Sequence, residues 1–418
     1  MIDAAQCVVI GSGSLGASVA FHLAARGSQV VLLDKHDLGS QTSPRAAGLT
    51  SQARDTELMT TLAQRAVRKI ESFEHDTGEK LNFCQPGALK IARTAAHVAQ
   101  LDRELARGRR METGIERITP AEARAKNPFL ETSGILAVNF VPTDLYLEPS
   151  QIPRLYARAA ERRGAAMLPN TLVTGITLRG GAVIGVETDR GAIRCETVVD
   201  AAGAWLRAVA ALTGANVPIM AVRHQLMITK PIEGVAPLQP ITRIIDANVY
   251  VRPDGGGLML GGYEPDPLQY DAGALPPRFD IADLPLDFSV LRRLADRVCE
   301  QLPVFQRVPQ EIGVRVHRGG LPTMTADGEH TVGPAPGVPG LYVIGGCCVG
   351  GLSIAPALGE ALAAWIIDGA PPMDISPMRP GREGAIGEDA LRAACLASYA
   401  HHYWDDVRQD AGRISETD

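Results

Sequence analysis

The first thirty-five residues constrain this chain more than any other stretch. Cys7-Val8-Val9-Ile10 is an apolar run. Gly11-Ser12-Gly13-Ser14-Leu15-Gly16 follows, then a helix of small residues, then Val30-Val31-Leu32-Leu33-Asp34. Strand, G-x-G-x-x-G, helix, strand and terminal acid are the parts of a β-α-β unit that holds an adenine dinucleotide. Gly11 permits the tight turn, Gly13 lets the backbone approach a pyrophosphate, and Gly16 lets the helix pack close to the strand. The free N–H groups and positive dipole end of the helix attract phosphate. Asp34 stands eighteen residues beyond Gly16, where a carboxylate can accept both ribose hydroxyls. That carboxylate would repel a 2′-phosphate, which argues against NADP and leaves FAD and NAD open.

At 418 residues the chain is long enough for two domains with their own cores. A net charge of −6 gives no reason to expect nucleic acid or an anionic membrane as a partner. The seven cysteines are scattered and show no C-x-x-C spacing, which suits reduced thiols in a cytoplasmic protein without a metal site. The N-terminus lacks a basic region before its apolar run, so it reads as part of the mature fold. No uninterrupted run of eighteen apolar residues suggests a membrane span.

Helical periodicity marks 55–77, with Leu58, Leu62, Ala66, Ile70 and Phe73 on one side, and charged helix is expected at 94–110. Phe83–Ala92 reads as strand. A helix at 150–163 ends at Gly164, and a meander spans 171–195. Thr197–Gly203 is a buried strand running into small residues. Residues 216–316 are strand- and proline-rich, with Tyr250–Pro253 and Leu258–Tyr263 as paired strands and a helix at 288–301. Leu341–Gly346 then runs into glycines and a helix at 354–368. The helix start can face an electron-rich ring carbonyl and stabilise negative charge there, which a reduced flavin needs and a nicotinamide does not. An ordinary strand-to-helix corner is the plainer alternative.

Several segments together resemble the flavin amine oxidoreductases of the D-amino-acid-oxidase class. They are the N-terminal fingerprint, Val198-Val199-Asp200-Ala201-Ala202-Gly203-Ala204-Trp205, Tyr250-Val251-Arg252-Pro253, Thr325-Ala326-Asp327-Gly328 and Gly340–Gly346. Arg45-Ala46-Ala47-Gly48-Leu49-Thr50, Arg223-His224-Gln225 and Gly261-Gly262-Tyr263-Glu264 are most similar to the flavin domain of dimethylglycine and sarcosine dehydrogenases. The resemblance implies an α/β fold: a Rossmann-like FAD-binding domain (1–82, 142–215, 320–372) and a second α+β substrate domain built on an antiparallel sheet (83–141, 216–319). Residues 373–418 are expected as a C-terminal helical tail. FAD is expected against Gly11, Gly13, Ser14, Leu15, Gly16, Asp34, Lys35, Arg45, Ala46, Ala47, Gly48, Leu49 and Val173. Ala202, Gly203, Trp205, Gly346, Val349, Gly350, Gly351, Leu352 and Ser353 complete the expected set.

The departures from the family pattern carry their own expectations. In dimethylglycine dehydrogenases a histidine before Ala-Ala-Gly carries the flavin covalently; here that position is Arg45, which cannot act as the nucleophile. The monomeric sarcosine oxidases use a cysteine at the place of Gly320-Leu321, where this chain has no thiol. Non-covalent FAD is therefore expected. Those oxidases also place a lysine over the flavin where this chain has Met259, which shifts the expectation from oxidase towards dehydrogenase. The carboxylate-binding arginine of glycine oxidases corresponds to Pro322, so a substrate carboxylate would need Arg252, Arg318 or His224. The related dehydrogenases continue into a folate-binding domain; without one, an oxidised methyl group is expected to leave as formaldehyde.

The expected reaction is hydride transfer from a small secondary or tertiary amine or amino acid, followed by iminium hydrolysis: oxidative N-demethylation. Tyr250, His224, Tyr263 and Arg252 are the candidate catalytic residues, and aromatic walls suit an N-methyl cation. Strand packing is the plainer role for both tyrosines, and a structural hydrogen bond for His224. His401-His402 lacks partners at metal spacing and reads as solvated. The expected partners are the amine, an electron acceptor (oxygen or an electron-transfer protein) and a second subunit in an oligomer. The alternative to an enzyme is a flavin-binding, non-catalytic or regulatory subunit of a hetero-oligomer. An NAD dehydrogenase is a third choice.

Overall fold

The structure, a computed structural model, describes residues 2–404. Its first strand, Cys7–Ile10, is buried throughout and pairs in parallel with Val30–Leu33 and Thr197–Asp200. Burial on both faces explains its unbroken apolar sequence. The sheet has six strands, ordered Thr331–Pro334, Leu341–Gly345, Thr197–Asp200, Cys7–Ile10, Val30–Leu33, Ala166–Leu168. Only Thr331–Pro334 is antiparallel to its neighbour. The chain therefore leaves this domain and returns to it, closing its edge with late strands.

The fingerprint glycines are sterically required. Gly11 leaves the strand at φ 99°, and a Cβ there would lie 2.5 Å from the Ala201 carbonyl oxygen. A Cβ on Gly16 would lie 1.9 Å from the Gly11 oxygen. The helix Ser14–Ala25 starts without a side-chain cap at Gly13. The apolar helix Gly351–Asp368 crosses it so closely that a Cβ on Gly359 would fall 2.2 Å from Ser18 Oγ. By length and composition that helix could cross a membrane. It packs against Ser14–Ala25 and Glu57–Glu71, with 56% of its apolar window buried, which accounts for its composition.

The second domain is an eight-stranded sheet. Its order is Val314–Gly320, His224–Thr229, Gly257–Gly262, Val249–Asp254, Ile241–Ile244, Ala88–Ala92, Ala137–Val141, Glu116–Ile118. Its pairs are antiparallel except Ile241–Ile244 against Ala88–Ala92, so the sheet is mixed rather than wholly antiparallel. Strand alternation divides its faces. Val249, Val251, Leu258 and Leu260 pack with Val290, Leu291 and Leu294 of the helix Phe288–Asp296. Tyr250, Met259 and Leu226 point the other way, towards Ala47, Leu49 and Val349 of the first domain.

Several elements differ from their sequence reading. Phe83–Ala92 is two strands, broken at Gly87, where a Cβ would meet the Phe140 ring at 2.5 Å. The helix expected over 55–77 is interrupted at Ser72, and the one expected over 288–301 ends at Asp296. Within the expected C-terminal helical tail, the described residues 373–404 hold a packed helix. This helix, Glu388–Ala400, buries Leu391, Cys395 and Tyr399 beside Met220, Tyr250 and Met324. Asn248 fastens its end, donating to the Ala400 carbonyl at 2.8 Å and accepting from the Tyr403 N–H at 3.1 Å. Residues 405–418 lie outside the described residues.

Candidate active site

Three adjoining cavities share lining residues and form one groove between the domains. The first is lined by Gly11, Gly13, Asp34, Lys35, Val173, Ala202, Gly203 and Trp205. The Asp34 carboxylate accepts from Ser12 N–H (2.8 Å), Ser12 Oγ (2.7 Å) and His36 N–H (3.0 Å). With about four acceptor directions on a carboxylate, this leaves room for one ribose hydroxyl rather than both. Lys35 Nζ lies 3.5 Å from the Trp205 ring centroid and donates to the Pro277 carbonyl at 2.7 Å. Burial pulls this lysine down to about 8. Ala272, Gly273, Leu275 and Pro277, contributed by the second domain, close this end; no motif in the sequence marked them.

The middle cavity is lined by Ser14, Leu15, Arg45, Ala46, Leu321, Cys347, Val349, Gly351 and Leu352, among others. Arg45 donates to the Ser40 and Gln41 carbonyls, so part of its guanidinium braces its own loop. Cys348 and Val349 have φ of 42° and 64°, the latter a costly conformation for a β-branched residue. This strained turn delivers the start of the helix Gly351–Asp368 to the groove. Gly16 and Gly346 do not line any of the three cavities. They are packing positions, since a Cβ on Gly346 would lie 2.6 Å from Thr325 Cγ2.

The third cavity has Ala46–Leu49 and Val349, Gly350, Leu352 and Ser353 on one side and His224, Tyr250, Tyr263, His402 and Tyr403 on the other. Tyr250 reaches His224 because position 261 is glycine: a Cβ there would lie 2.2 Å from the Tyr250 hydroxyl oxygen. His224 Nε2 is 2.9 Å from that hydroxyl, and Nδ1 is 2.7 Å from the hydroxyl of Tyr399. Burial drives His224 down to about 4 and pushes the Tyr250 and Tyr399 phenols up. All three are therefore neutral near pH 7. His402, expected in solvent, instead stacks on Tyr263 with ring centroids 4.1 Å apart. The tertiary fold, not local sequence, puts it there.

Arg252 lies outside this cavity. It donates to the Ala47 and Pro253 carbonyls, pairs with Asp254 at 3.0 Å and covers the Tyr146 ring. It supports the Ala47 loop instead of facing a substrate. Arg318 likewise donates to the Ala46 carbonyl and does not line the groove. The cations that do reach the cavity were not singled out in the sequence. Lys90, Arg243 and Tyr250 stand opposite one another on neighbouring strands, and Arg54 joins them at the wall. Lys90 is paired with Glu104 at 2.6 Å. Arg243 donates to the Thr50 carbonyl at 2.6 Å and lies 3.7 Å from Asp144.

Residues 6–365 match the family model described as FAD dependent oxidoreductase. The chain belongs to that family. It is 32% identical over 420 residues to 4-methylaminobutanoate oxidase (formaldehyde-forming) of Paenarthrobacter nicotinovorans, covering 98% of this chain and 50% of that protein. It is also 32% identical over 378 residues to human mitochondrial sarcosine dehydrogenase, covering 89% of this chain and 40% of the relative. It thus spans half or less of the length of these relatives. Among solved structures, L-proline dehydrogenase from P. horikoshii aligns with a TM-score of 0.83 at 24% identity, covering 92% of this chain and 98% of the other.

The groove of this FAD-dependent oxidoreductase suits its cofactor. Glycines stand where the backbone must approach a pyrophosphate. Trp205 and Ser14 line it, and their Nε1 and Oγ are buried polar atoms with no hydrogen-bond partner among the described residues. Asp34, Lys35 and Trp205 would hold the adenosine end, Ser14 and Ser43 the phosphates, and Ala46–Leu49 with Val349–Ser353 the ring end.

Proposed function

We propose that this oxidoreductase oxidises a small N-methylated secondary or tertiary amine or amino acid and releases formaldehyde. One observation carries the reading. The cofactor groove ends in a cavity with an aromatic wall of Tyr250, Tyr263, Tyr403, His224 and His402, and with Arg54, Lys90 and Arg243 elsewhere on its lining. Aromatic faces attract an N-methyl cation and hold it against the ring end of the groove. Tyr250 stands at that wall with a hydroxyl that can meet the substrate nitrogen. Burial of these side chains keeps the site poor in water, which favours the unprotonated amine. Bound FAD supplies the hydride acceptor, and water hydrolyses the resulting substrate iminium to amine and formaldehyde.

Two finer readings belong to the same proposal. Met259 stands where the related oxidases carry a lysine. It is uncharged and fully buried on the sheet face with Tyr250, and lines none of the three cavities. It therefore brings no charge to the ring end, which supports a dehydrogenase that re-oxidises slowly in air. Arg45 stands where related flavoproteins attach the ring, which supports non-covalent FAD; acid precipitation should leave the yellow colour in the supernatant. The deciding experiment mixes the holoprotein anaerobically with N-methylated amines and amino acids and follows flavin bleaching and formaldehyde. Bleaching with stoichiometric formaldehyde supports the reading. No bleaching across a broad panel would point instead to a non-catalytic flavin-binding subunit.

A further inference from the structure

Tyr399 belongs to the C-terminal helix Glu388–Ala400 and is 1% exposed. Its hydroxyl meets His224 Nδ1 at 2.7 Å, a contact across 175 residues of sequence. The opposite ring nitrogen meets the Tyr250 hydroxyl at 2.9 Å. Tyr250, in turn, lines the cavity at the ring end of the groove, whereas Tyr399 does not. The three side chains therefore form a line from the cavity to the C-terminal helix.

A neutral imidazole has one N–H donor and one acceptor nitrogen, so the two hydroxyls must take opposite roles. When Tyr399 donates to Nδ1, the Nε2–H donates to the Tyr250 oxygen, and the Tyr250 O–H turns to the cavity. When Tyr399 accepts from Nδ1–H, Tyr250 donates to Nε2 and turns its oxygen lone pairs to the cavity. The second arrangement can accept the N–H of a secondary amine, or of a tertiary amine still protonated. It leaves a secondary amine's own lone pair free for oxidation. Only a residue at 399 that both donates and accepts admits the two arrangements.

We propose that Tyr399 is a positioning residue of the amine site: through His224 it lets Tyr250 present a hydrogen-bond acceptor to the substrate nitrogen. The proposal rests on the amine-oxidising reading above. Phenylalanine at 399 leaves Nδ1–H without an acceptor in a buried site, which disfavours the productive arrangement.

The test is stopped-flow anaerobic reduction of the holoenzyme by an N-methylated amino acid that reduces the wild type. Tyr399→Phe should lower the limiting reduction rate about ten-fold or more through misorientation of the amine. It should raise the substrate dissociation constant as well, because the hydrogen bond it supports already forms in the bound substrate. An unchanged limiting rate, or a change in dissociation constant alone, overturns the proposal. In a His224→Gln background, Tyr399→Phe should add little; an additive loss also overturns it. Should Tyr399→Phe fail to hold flavin, ¹⁵N NMR of wild-type holoenzyme decides. A populated Nδ1–H tautomer of His224 supports the role, and a ring held wholly as Nε2–H refutes it. If no N-methylated amine reduces the flavin, the functional reading fails by itself, and the tautomer measurement still judges Tyr399.

Discussion

Replacing Gly261 by alanine probes how the sheet builds the amine cavity. The new Cβ would lie 2.2 Å from the Tyr250 hydroxyl oxygen and 2.4 Å from its Cζ, against ordinary contacts of 3.4 Å or more. The ring must retreat by about 1 Å, which ruptures its 2.9 Å hydrogen bond to His224. Forcing a methyl group into a packed interior costs about 1–3 kcal/mol. Leaving buried hydrogen-bonding groups without their partner costs about another 1–3 kcal/mol. The expected outcome is a loss of about 2–6 kcal/mol of stability and at least a ten-fold slower flavin reduction, with flavin still bound. Thermal unfolding and anaerobic stopped-flow read the two effects separately. Adding Gly261→Ala to a Tyr250→Leu protein should cost much less, because the clashing hydroxyl is gone. A Gly261→Ala enzyme with wild-type melting and reduction rate would refute the steric account.

Asp34→Asn should weaken FAD binding by about ten-fold, because a charged acceptor for Ser12 and the ribose becomes a neutral amide; equilibrium dialysis reads it, and wild-type affinity would contradict the role. His22 and His224 are held at about 3 and 4 by burial, below the ordinary 6.5. The unfolded chain therefore binds more protons below pH 6.5, and stability present above that pH falls as pH drops towards 4. Between pH 7.5 and 5 the His224 loss is about 2 kcal/mol. Because buried Asp144 and Asp200, raised by burial, act the other way, it is read as the smaller drop in urea midpoint of His224→Gln relative to wild type; equal drops would contradict burial of a neutral ring. Met259→Lys should speed re-oxidation of the reduced enzyme by oxygen, measured as peroxide release; no acceleration would remove the support Met259 lends to a dehydrogenase.

The cofactor half was legible because its constraints are local. Gly11 and Gly16 answer to backbone clashes with residues already committed to the strand and turn, and Asp34 follows from the end of the next strand. The pairing of Tyr250–Pro253 with Leu258–Tyr263 was equally readable, since a two-glycine turn joins them. Arg252 illustrates the limit. Its place in a family-like motif suggested substrate contact, but the direction of its guanidinium depends on Ala47 and Asp254, which sequence pattern does not place. The sheet register that lines up Lys90, Arg243 and Tyr250 likewise depends on pairing the hairpin of Ile241–Ile244 and Val249–Asp254 with a strand about 150 residues earlier in the chain.

By itself, the sequence determined that this chain builds a strand-turn-helix cradle for an adenine dinucleotide, because turn geometry and side-chain size act over a few residues. Tertiary structure alone decided what closes the other end of the groove. Tyr399 and His402 reach His224 and Tyr263 because the C-terminal helix packs on the strands Met220–Val222 and Thr323–Met324 and against Tyr250 of the second sheet. Burial of Leu391, Cys395 and Tyr399 drives that docking, and hydrophobic burial depends on surfaces that exist only in the folded chain.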